Sequence, residues 1–251
     1  MKSIFITGTD TDAGKTYVST LLLKSINDAG FKTIGFKPIA AGCEQTPTGL
    51  RNDDALKLQS AANVSLPYEL INPIALAPPI APHIAAAQLG SEIDMNLVQT
   101  TLNDLQSKEA DFLLVEGAGG WRLPISIPLS IPLSIPKTLK NNVSSSASVS
   151  ANKEKVKYLS DFVADNKLPV ILVVGMKLGC LNHAALTLEQ IKRDNCHLIG
   201  WIANQVDPNM QCYAQNLESL HALLDAPFIG EVRHNQSDIT LLEKDFERLF
   251  S

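Results

Sequence analysis

Near its start the chain reads Gly8-Thr9-Asp10-Thr11-Asp12-Ala13-Gly14-Lys15-Thr16, directly after an apolar run. A glycine-bounded loop between a strand and a helix can turn successive backbone N–H groups onto phosphate oxygens, where the helix N-terminus adds positive potential. The Lys15 ammonium then neutralises β- and γ-phosphate charge, and the Thr16 hydroxyl is a ligand for Mg²⁺. The spacing is one residue longer than the common phosphate loop: five residues separate Gly8 from Gly14, and Thr9 stands where the first glycine usually does.

Two further patterns could complete such a site. Phe112–Glu116 is an apolar run ending in a carboxylate and followed by Gly117-Ala118-Gly119-Gly120. A strand that delivers an acid to its C-terminal end places it where a phosphate crevice needs a metal ligand. Taken alone, Glu116 is also what a solvated strand end before a glycine turn looks like. Gly35-Phe36-Lys37-Pro38 ends another apolar run, and Arg51-Asn52-Asp53-Asp54 precedes a helical stretch. Lys37 could stabilise a transferring phosphoryl group, or could be a strand-end lysine with its charge in water. Asp53 and Asp54 are equivalent on spacing, and either also suits a helix N-terminus.

The elements that must position these groups are legible from periodicity. Short, β-branched-rich runs at Ser3–Thr7, Thr33–Lys37, Asp111–Glu116, Pro169–Gly175, Leu198–Asn204 and Phe228–Val232 predict strands buried on both faces. Stretches of helical period lie between them at Lys15–Ala29, Asp53–Ala62, Met95–Ser107, Lys155–Asp165, His183–Arg193 and Met210–Leu224. Alternation of this kind predicts one α/β domain over residues 1–251, with a mainly parallel central sheet and helices on both faces. Residues 123–151 interrupt it with an Ile-Pro-Leu-Ser repeat and a Ser/Asn-rich run. Repeated prolines remove backbone donors and little there can be buried, so this reads as a mobile surface insertion.

With 21 basic and 26 acidic residues, the net charge of −5 supplies no field for nucleic acid or an anionic membrane. No apolar run approaches membrane-span length, and the N-terminus lacks a secretory pattern, so the expected location is cytoplasmic. The four cysteines form no CxxC pair and read as reduced thiols. The five histidines lack the close spacing of a zinc site.

Taken together, Thr7–Thr16, Gly35–Pro38, Leu50–Leu56, Pro82–His83, Val115–Trp121, Leu168–Gly175, Lys177–His183 and Gly200–Asn204 resemble dethiobiotin synthetases, across nearly the whole chain outside the Pro/Ser-rich segment. That family uses the longer phosphate loop. The resemblance implies an ATP-dependent closure of a cyclic urea on 7,8-diaminononanoate with CO₂, in a homodimer. It implies that Lys15 and Lys37 stabilise carbamate and phosphoryl charge, and that Thr16, Asp54 and Glu116 hold Mg²⁺. It further implies that Asp12, Ala13, Gly14, Lys15 and Thr16 wrap the phosphates of ATP, with Gly117, Ala118 and Gly119 beside them and Asn204 and Gln205 toward the adenine. Thr11, Lys37 and Ala41 fall at diamine positions, and Gly179, Cys180, Leu181 and Asn182 at the carboxylate site across the dimer interface. Two features depart from the family pattern: Ala40-Ala41-Gly42 stands where a serine is expected, and the 123–151 segment is longer. A P-loop ATPase that switches or partitions cargo is the rival reading of the same loop; it predicts ATPase activity stimulated by a macromolecule.

Overall fold

The computed structural model describes residues 1–127, 156–236 and 239–241. In chain order the strands are β1 (Lys2–Gly8), β2 (Thr33–Phe36), β3 (Ile39–Ala41), β4 (Glu44–Thr46), β5 (Gly49–Arg51), β6 (Ile74–Leu76), β7 (Phe112–Glu116), β8 (Pro124–Ser126), β9 (Lys157–Tyr158), β10 (Val170–Gly175), β11 (Leu198–Asn204), β12 (Phe228–Val232) and β13 (Thr240–Leu241). The helices are α1 (Lys15–Asp28), α2 (Asp53–Ala61), α3 (Tyr68–Ile71), α4 (Pro82–Gln88), α5 (Met95–Gln106), α6 (Leu159–Asp165), α7 (Cys180–Arg193) and α8 (Tyr213–Leu223), with a 3₁₀ turn at Thr11–Ala13.

Seven strands form one sheet in the order β13-β12-β11-β10-β1-β7-β2. Every pairing in it is parallel except β12 with β13. The first strand is central: the chain leaves β1 for β2 on one side and later returns to β10 on the other. In open α/β sheets a crevice for ligands opens at the C-terminal strand ends where the order reverses in this way.

Strand alternation explains the two faces. Ile4 and Ile6 of β1 join Val18, Leu22, Leu23 and Ile26 of α1 on one side. Phe5 points the other way, into Val98, Leu102 and Leu105 of α5 and Phe162 of α6. Leu172, Val174 and Trp201 extend that second face under α7 and α8, through Ala184, Leu188 and Leu220. Close approach needs glycine at Gly200, where a Cβ would lie 2.3 Å from the Ile229 side chain.

All six strands expected from sequence are present. Three helices start elsewhere than periodicity suggests. The helix expected from Lys155 begins at Leu159, because Lys157 and Tyr158 are taken by pairing with Pro124 and Ser126. The helix expected from His183 begins at Cys180, where Gly179 turns the chain with φ 95°. The last helix begins at Tyr213 rather than Met210. The small ladders β3–β6 and β4–β5 and the short α3 and α4 have no counterpart in the sequence reading, being too short to show a period.

The 123–151 insertion is met only at its start. Ile125 is 8% exposed in the core and Leu159 N donates to Leu123 O at 2.9 Å. Trp121 Nε1 donates to Asp194 Oδ2 (2.7 Å), and Arg122 stacks over the Tyr158 ring at 4.2 Å. The expected mobility concerns residues outside those described. Because Ser126 and Lys157 are partners in the β8–β9 ladder, the chain between them starts and ends at one place, and shortening it alters loop closure only weakly. Deleting residues 129–150 should therefore leave ATP affinity within about threefold of the parent, as measured by isothermal calorimetry; loss of binding would show that the segment belongs to the nucleotide site.

Candidate active site

The phosphate loop is built from both ends. Asp10 Oδ1 accepts from Thr11 N at 2.7 Å and starts the 3₁₀ turn, and Gly14, at φ 80°, swings the chain into α1. No side chain caps α1, so its first N–H groups remain for an anion. Thr9, the residue in the usual glycine position, stitches the loop to β10: its N donates to Val173 O (3.0 Å) and its Oγ1 accepts from Gly175 N (3.3 Å). Beneath the loop, Asn204 Nδ2 donates to Ala13 O at 2.9 Å, with Asn204 only 4% exposed. Gly175 is forced here, since a Cβ on it would lie 2.9 Å from Ala13 Cα.

Lys15 is buried and folds back over the loop, its Nζ donating to Asp10 O (3.3 Å) and Thr11 O (3.2 Å). Burial, reinforced by repulsion from Lys37, lowers its pKa to about 8 despite Glu116, Asp54 and Asp10. Both carbonyls accept from it as neutral groups, so an anion arriving at the loop would be its first close counter-charge. Asp10 is held on its other side by Lys177 at 3.1 Å; the Thr11 N–H and then Lys177 lower its pKa.

Beside the loop, three strand and helix ends converge. Lys37 follows β2, Glu116 ends β7, and Asp54 lies in the first turn of α2. Lys37 Nζ is 2.6 Å from Glu116 Oε1, 3.2 Å from Asp54 Oδ2 and 3.3 Å from Gly117 O. From α1, Thr16 Oγ1 donates to the same Glu116 Oε1 at 2.7 Å. Burial opposes the charge on Lys37, but Glu116 and Asp54 outweigh it and raise the lysine's pKa. Burial likewise works against ionised Asp54, and Lys37 with Thr16 overcomes it to lower that pKa. Spacing alone left Asp53 and Asp54 equivalent and the family resemblance chose Asp54; in the structure Asp53 pairs with exposed Lys57 while Asp54 faces Lys37.

Glu116 is fully buried, and its Oε2 has no hydrogen-bond partner. A buried carboxylate oxygen left without a donor is costly, and it marks where a cation fits. Two carboxylates and a hydroxyl, with substrate phosphates as the remaining ligands, make a donor set suited to Mg²⁺. Among the described residues no cluster of three His, Cys, Asp or Glu forms an all-protein metal cage.

A cavity of about 770 Å³ opens over this centre. Its polar side is Thr11, Asp12, Gly14, Lys15, Thr16, Lys37, Asn52 and Asp54; its apolar side is formed mainly by Ala40, Ala41, Pro79, Ile80, Pro82 and Leu123, with Ala118 and Gly119 also at the wall. Gly117 sits lower, its Cα packed where a Cβ would meet the Phe5 ring at 2.8 Å. Asn52, Pro79, Ile80 and Leu123 were not singled out from sequence as site residues; the Pro-rich run before Pro82-His83 was the available signal.

The residues expected at the carboxylate site, and Asn204 and Gln205, do not line this cavity. Gly179, Cys180, Leu181 and Asn182 open α7, next to Leu178, which is 97% exposed. The Cys180 side chain is buried with Leu172, Val174 and Trp201, so it packs rather than faces solvent. Gln205 is anchored by its backbone N–H to Val232 O at 2.8 Å, and its Oε1 accepts from His234 N at 3.3 Å. The four cysteines are all free thiols.

A strand–loop–helix phosphate site on a mainly parallel sheet, with an acid and a lysine on adjacent strand ends, defines a P-loop nucleotide-binding α/β protein. The chain matches the AAA domain family over residues 2–135 and 142–238. It is 44% identical over 232 residues to the ATP-dependent dethiobiotin synthetase BioD of Aeromonas salmonicida, covering 92% of this chain and 90% of that protein. Identity to the protein of the same name from Pseudoalteromonas translucida is 47% over 230 residues, covering 92% and 89%. The chain belongs to the ATP-dependent dethiobiotin synthetase family. Among solved structures it resembles the MinC:MinD cell division complex of Aquifex aeolicus, with a TM-score of 0.51 and 15% identity over 99% of this chain and 85% of that one; this likeness shows the fold alone. No described helix is long and apolar enough to cross a membrane.

Gly14 provides a direct test of the loop. A Cβ there would lie 2.1 Å from Asn204 Nδ2 on a residue at φ 80°, whereas at Gly30, with φ 90°, a Cβ meets nothing within 4 Å. Both Gly→Ala changes bear the left-handed strain of about 1–2 kcal/mol, but only Gly14→Ala displaces the loop. Gly14→Ala should weaken ATP binding by about tenfold or more while Gly30→Ala leaves it near the parent value, as read by nucleotide titration; equal effects would refute the brace from Asn204.

Proposed function

We propose that this chain catalyses the Mg²⁺- and ATP-dependent ring closure of 7,8-diaminononanoate with CO₂, giving dethiobiotin, ADP and phosphate. The observation that carries the reading is the convergence of Lys37, Thr16, Asp54 and Glu116 on one point beside the phosphate loop, at the floor of a cavity with one polar and one apolar side.

In this reading the loop from Asp12 to Thr16 binds the phosphates of ATP through backbone N–H groups, and Lys15 contributes its charge toward the β- and γ-phosphates. Ala118 and Gly119 form the facing wall, Gly117 supports Lys37 from below, and Asn204 and Gln205 flank the adenine. Asn204 commits one amide hydrogen to Ala13 O and keeps its other hydrogen and its oxygen for the base. Thr16, Asp54 and Glu116 would hold Mg²⁺, which when bound neutralises phosphoryl oxygens. An amine of the diamine takes up CO₂ and loses a proton to become a carbamate, which needs no protein nucleophile. The carbamate oxygen then attacks the γ-phosphorus and ADP leaves. The second amine attacks the carbamic–phosphoric anhydride carbon, closing the ureido ring with release of phosphate. The chain supplies position and fixed charge, and these suffice for a phosphoryl transfer with little covalent demand on the protein.

Lys37 is placed for the carbamate and the moving phosphoryl group, with Thr11 at the same end of the cavity. Ala40, Ala41, Pro79 and Ile80 give the alkyl chain an apolar wall. Where the family pattern has a serine hydroxyl, Ala41 has only a methyl group, and a backbone group or water takes that contact. Gly179, Cys180, Leu181 and Asn182 would receive the substrate carboxylate at the N-terminus of α7, presented to the partner subunit of a homodimer. Their position outside this chain's own cavity supports that assignment. A cytoplasmic location and a single domain bearing the 123–151 insertion complete the proposal.

Phosphate release from Mg-ATP should depend on both diaminononanoate and bicarbonate, with dethiobiotin detected by mass; release indifferent to the diamine would sink the reading. Lys37→Ala should lower turnover by about 10²–10³-fold or more. It also strands the buried Glu116, at a cost of about 3–5 kcal/mol, so circular dichroism must confirm a folded product before the rate is interpreted.

A further inference from the structure

Outside the cavity, one buried hydrogen-bond chain runs between the two elements that bring Lys37 and Asp54 together. The backbone of Lys37 is held at both polar groups by the end of α3: its N donates to Ile71 O at 2.7 Å, and its O accepts from Asn72 Nδ2 at 2.7 Å. Asn72 Nδ2 also donates to Ile74 O (3.2 Å), and Asn72 Oδ1 accepts from Tyr68 Oη at 3.1 Å. Tyr68 Oη in turn accepts from the backbone N–H of Asn52 at 2.7 Å. Asn52 caps α2, its Oδ1 accepting from Ala55 N at 3.2 Å, and stands two residues ahead of Asp54 in that helix's first turn. Tyr68, Asn72 and Asn52 are 7%, 3% and 8% exposed.

Every member of this chain is satisfied. The tyrosine hydroxyl makes one donation and one acceptance, and the Asn72 amide spends both of its hydrogens and its oxygen. Such a network rigidifies what it joins, and a gap anywhere in it leaves buried groups unpaired. The Arg51 guanidinium stacks over the Tyr68 ring at 4.2 Å and pairs with Glu69, fixing the ring from outside. Neither Tyr68 nor Asn72 lines the cavity.

The geometry points to Tyr68 and Asn72 as positioning residues that set the Lys37 ammonium against Asp54 by locking the Lys37 main chain to the cap of α2. This rests on the reading of Lys37 as a catalytic group. Without the tyrosine hydroxyl, the Asn52 N–H and Asn72 Oδ1 lose their shared partner, and β2 and α2 can shift relative to one another. The phosphate loop, held separately by Val173, Gly175 and Asn204, is untouched. The effect should therefore fall on the chemical step and spare ATP binding, since misplacement by about 1 Å can cost on the order of 10²-fold in rate.

Steady-state kinetics on Tyr68→Phe, Asn72→Ser, the double variant and Lys37→Ala test this, with thermal melts and circular dichroism on each. Expected are kcat losses of about 10–100-fold in each single variant, KM for ATP within about threefold, and a double variant no slower than the worse single, because one broken link already severs the chain. Unchanged kcat in Tyr68→Phe or Asn72→Ser beside an inactive Lys37→Ala would overturn the proposal and leave the functional reading standing. Losses that multiply in the double variant, or variants that lose only melting temperature or fail to fold, would equally overturn it and make the chain a stability device. Turnover persisting in Lys37→Ala would remove Lys37 from the mechanism, and this inference with it, while leaving the reaction itself standing.

Discussion

The contact on which the site depends is the 2.6 Å pair between Lys37 Nζ and Glu116 Oε1, both almost wholly withdrawn from solvent. A buried charge pair returns its desolvation cost only if its geometry is good and its remaining valences are met. Here the lysine meets Asp54 and Gly117 O as well, and Glu116 takes a hydroxyl from Thr16. The pair thus demands that β2 and β7 end, and α1 and α2 begin, at the same place. Within this centre Glu116 Oε2 is left without a hydrogen-bond partner, which leaves room for a cation there.

Around that centre the fold supplies close backbone approach more than bulk. Gly175 lets Ala13 lie on β10, Gly117 lets β7 turn past Phe5, and Gly14 takes the left-handed conformation that starts α1. Each is a position where a methyl group would displace the phosphate loop or its support. Thr9 and Asn204 hold the loop from the strand ends, so a ligand meets donors that are already in place. Preorganised donors of this kind stabilise developing charge without having to reorient as the reaction proceeds.

Membership of the dethiobiotin synthetase family accounts for the co-occurrence of the longer phosphate loop, Lys37 after β2 and the glycine run after Glu116. The fold it shares with a MinD complex at a TM-score of 0.51 is a scaffold on which the rest of the cavity makes the difference. Pro79, Ile80 and Ala41 give this cavity an apolar side on which a hydrocarbon chain can lie.

By itself the sequence determined the six parallel strands and the phosphate loop with Lys15 and Thr16, because these rest on local signals, apolar runs and glycine spacing; Lys37 and Glu116 stood out as strand-end candidates, each with a bland alternative that only their meeting at 2.6 Å removes. The short ladders β3–β6 and β4–β5, with α3 and α4, were not legible, since three- or four-residue elements carry no period and are stabilised only by what they pack against. For the same reason Lys157 and Tyr158 became a strand although they lie in a helical pattern. Only the tertiary structure decided that Asp54 rather than Asp53 faces Lys37, that Thr9 serves the loop through its hydroxyl, and that Tyr68 and Asn72 join the two. Those choices depend on which groups far apart in the chain meet at hydrogen-bond distance, and spacing along one chain does not contain that information.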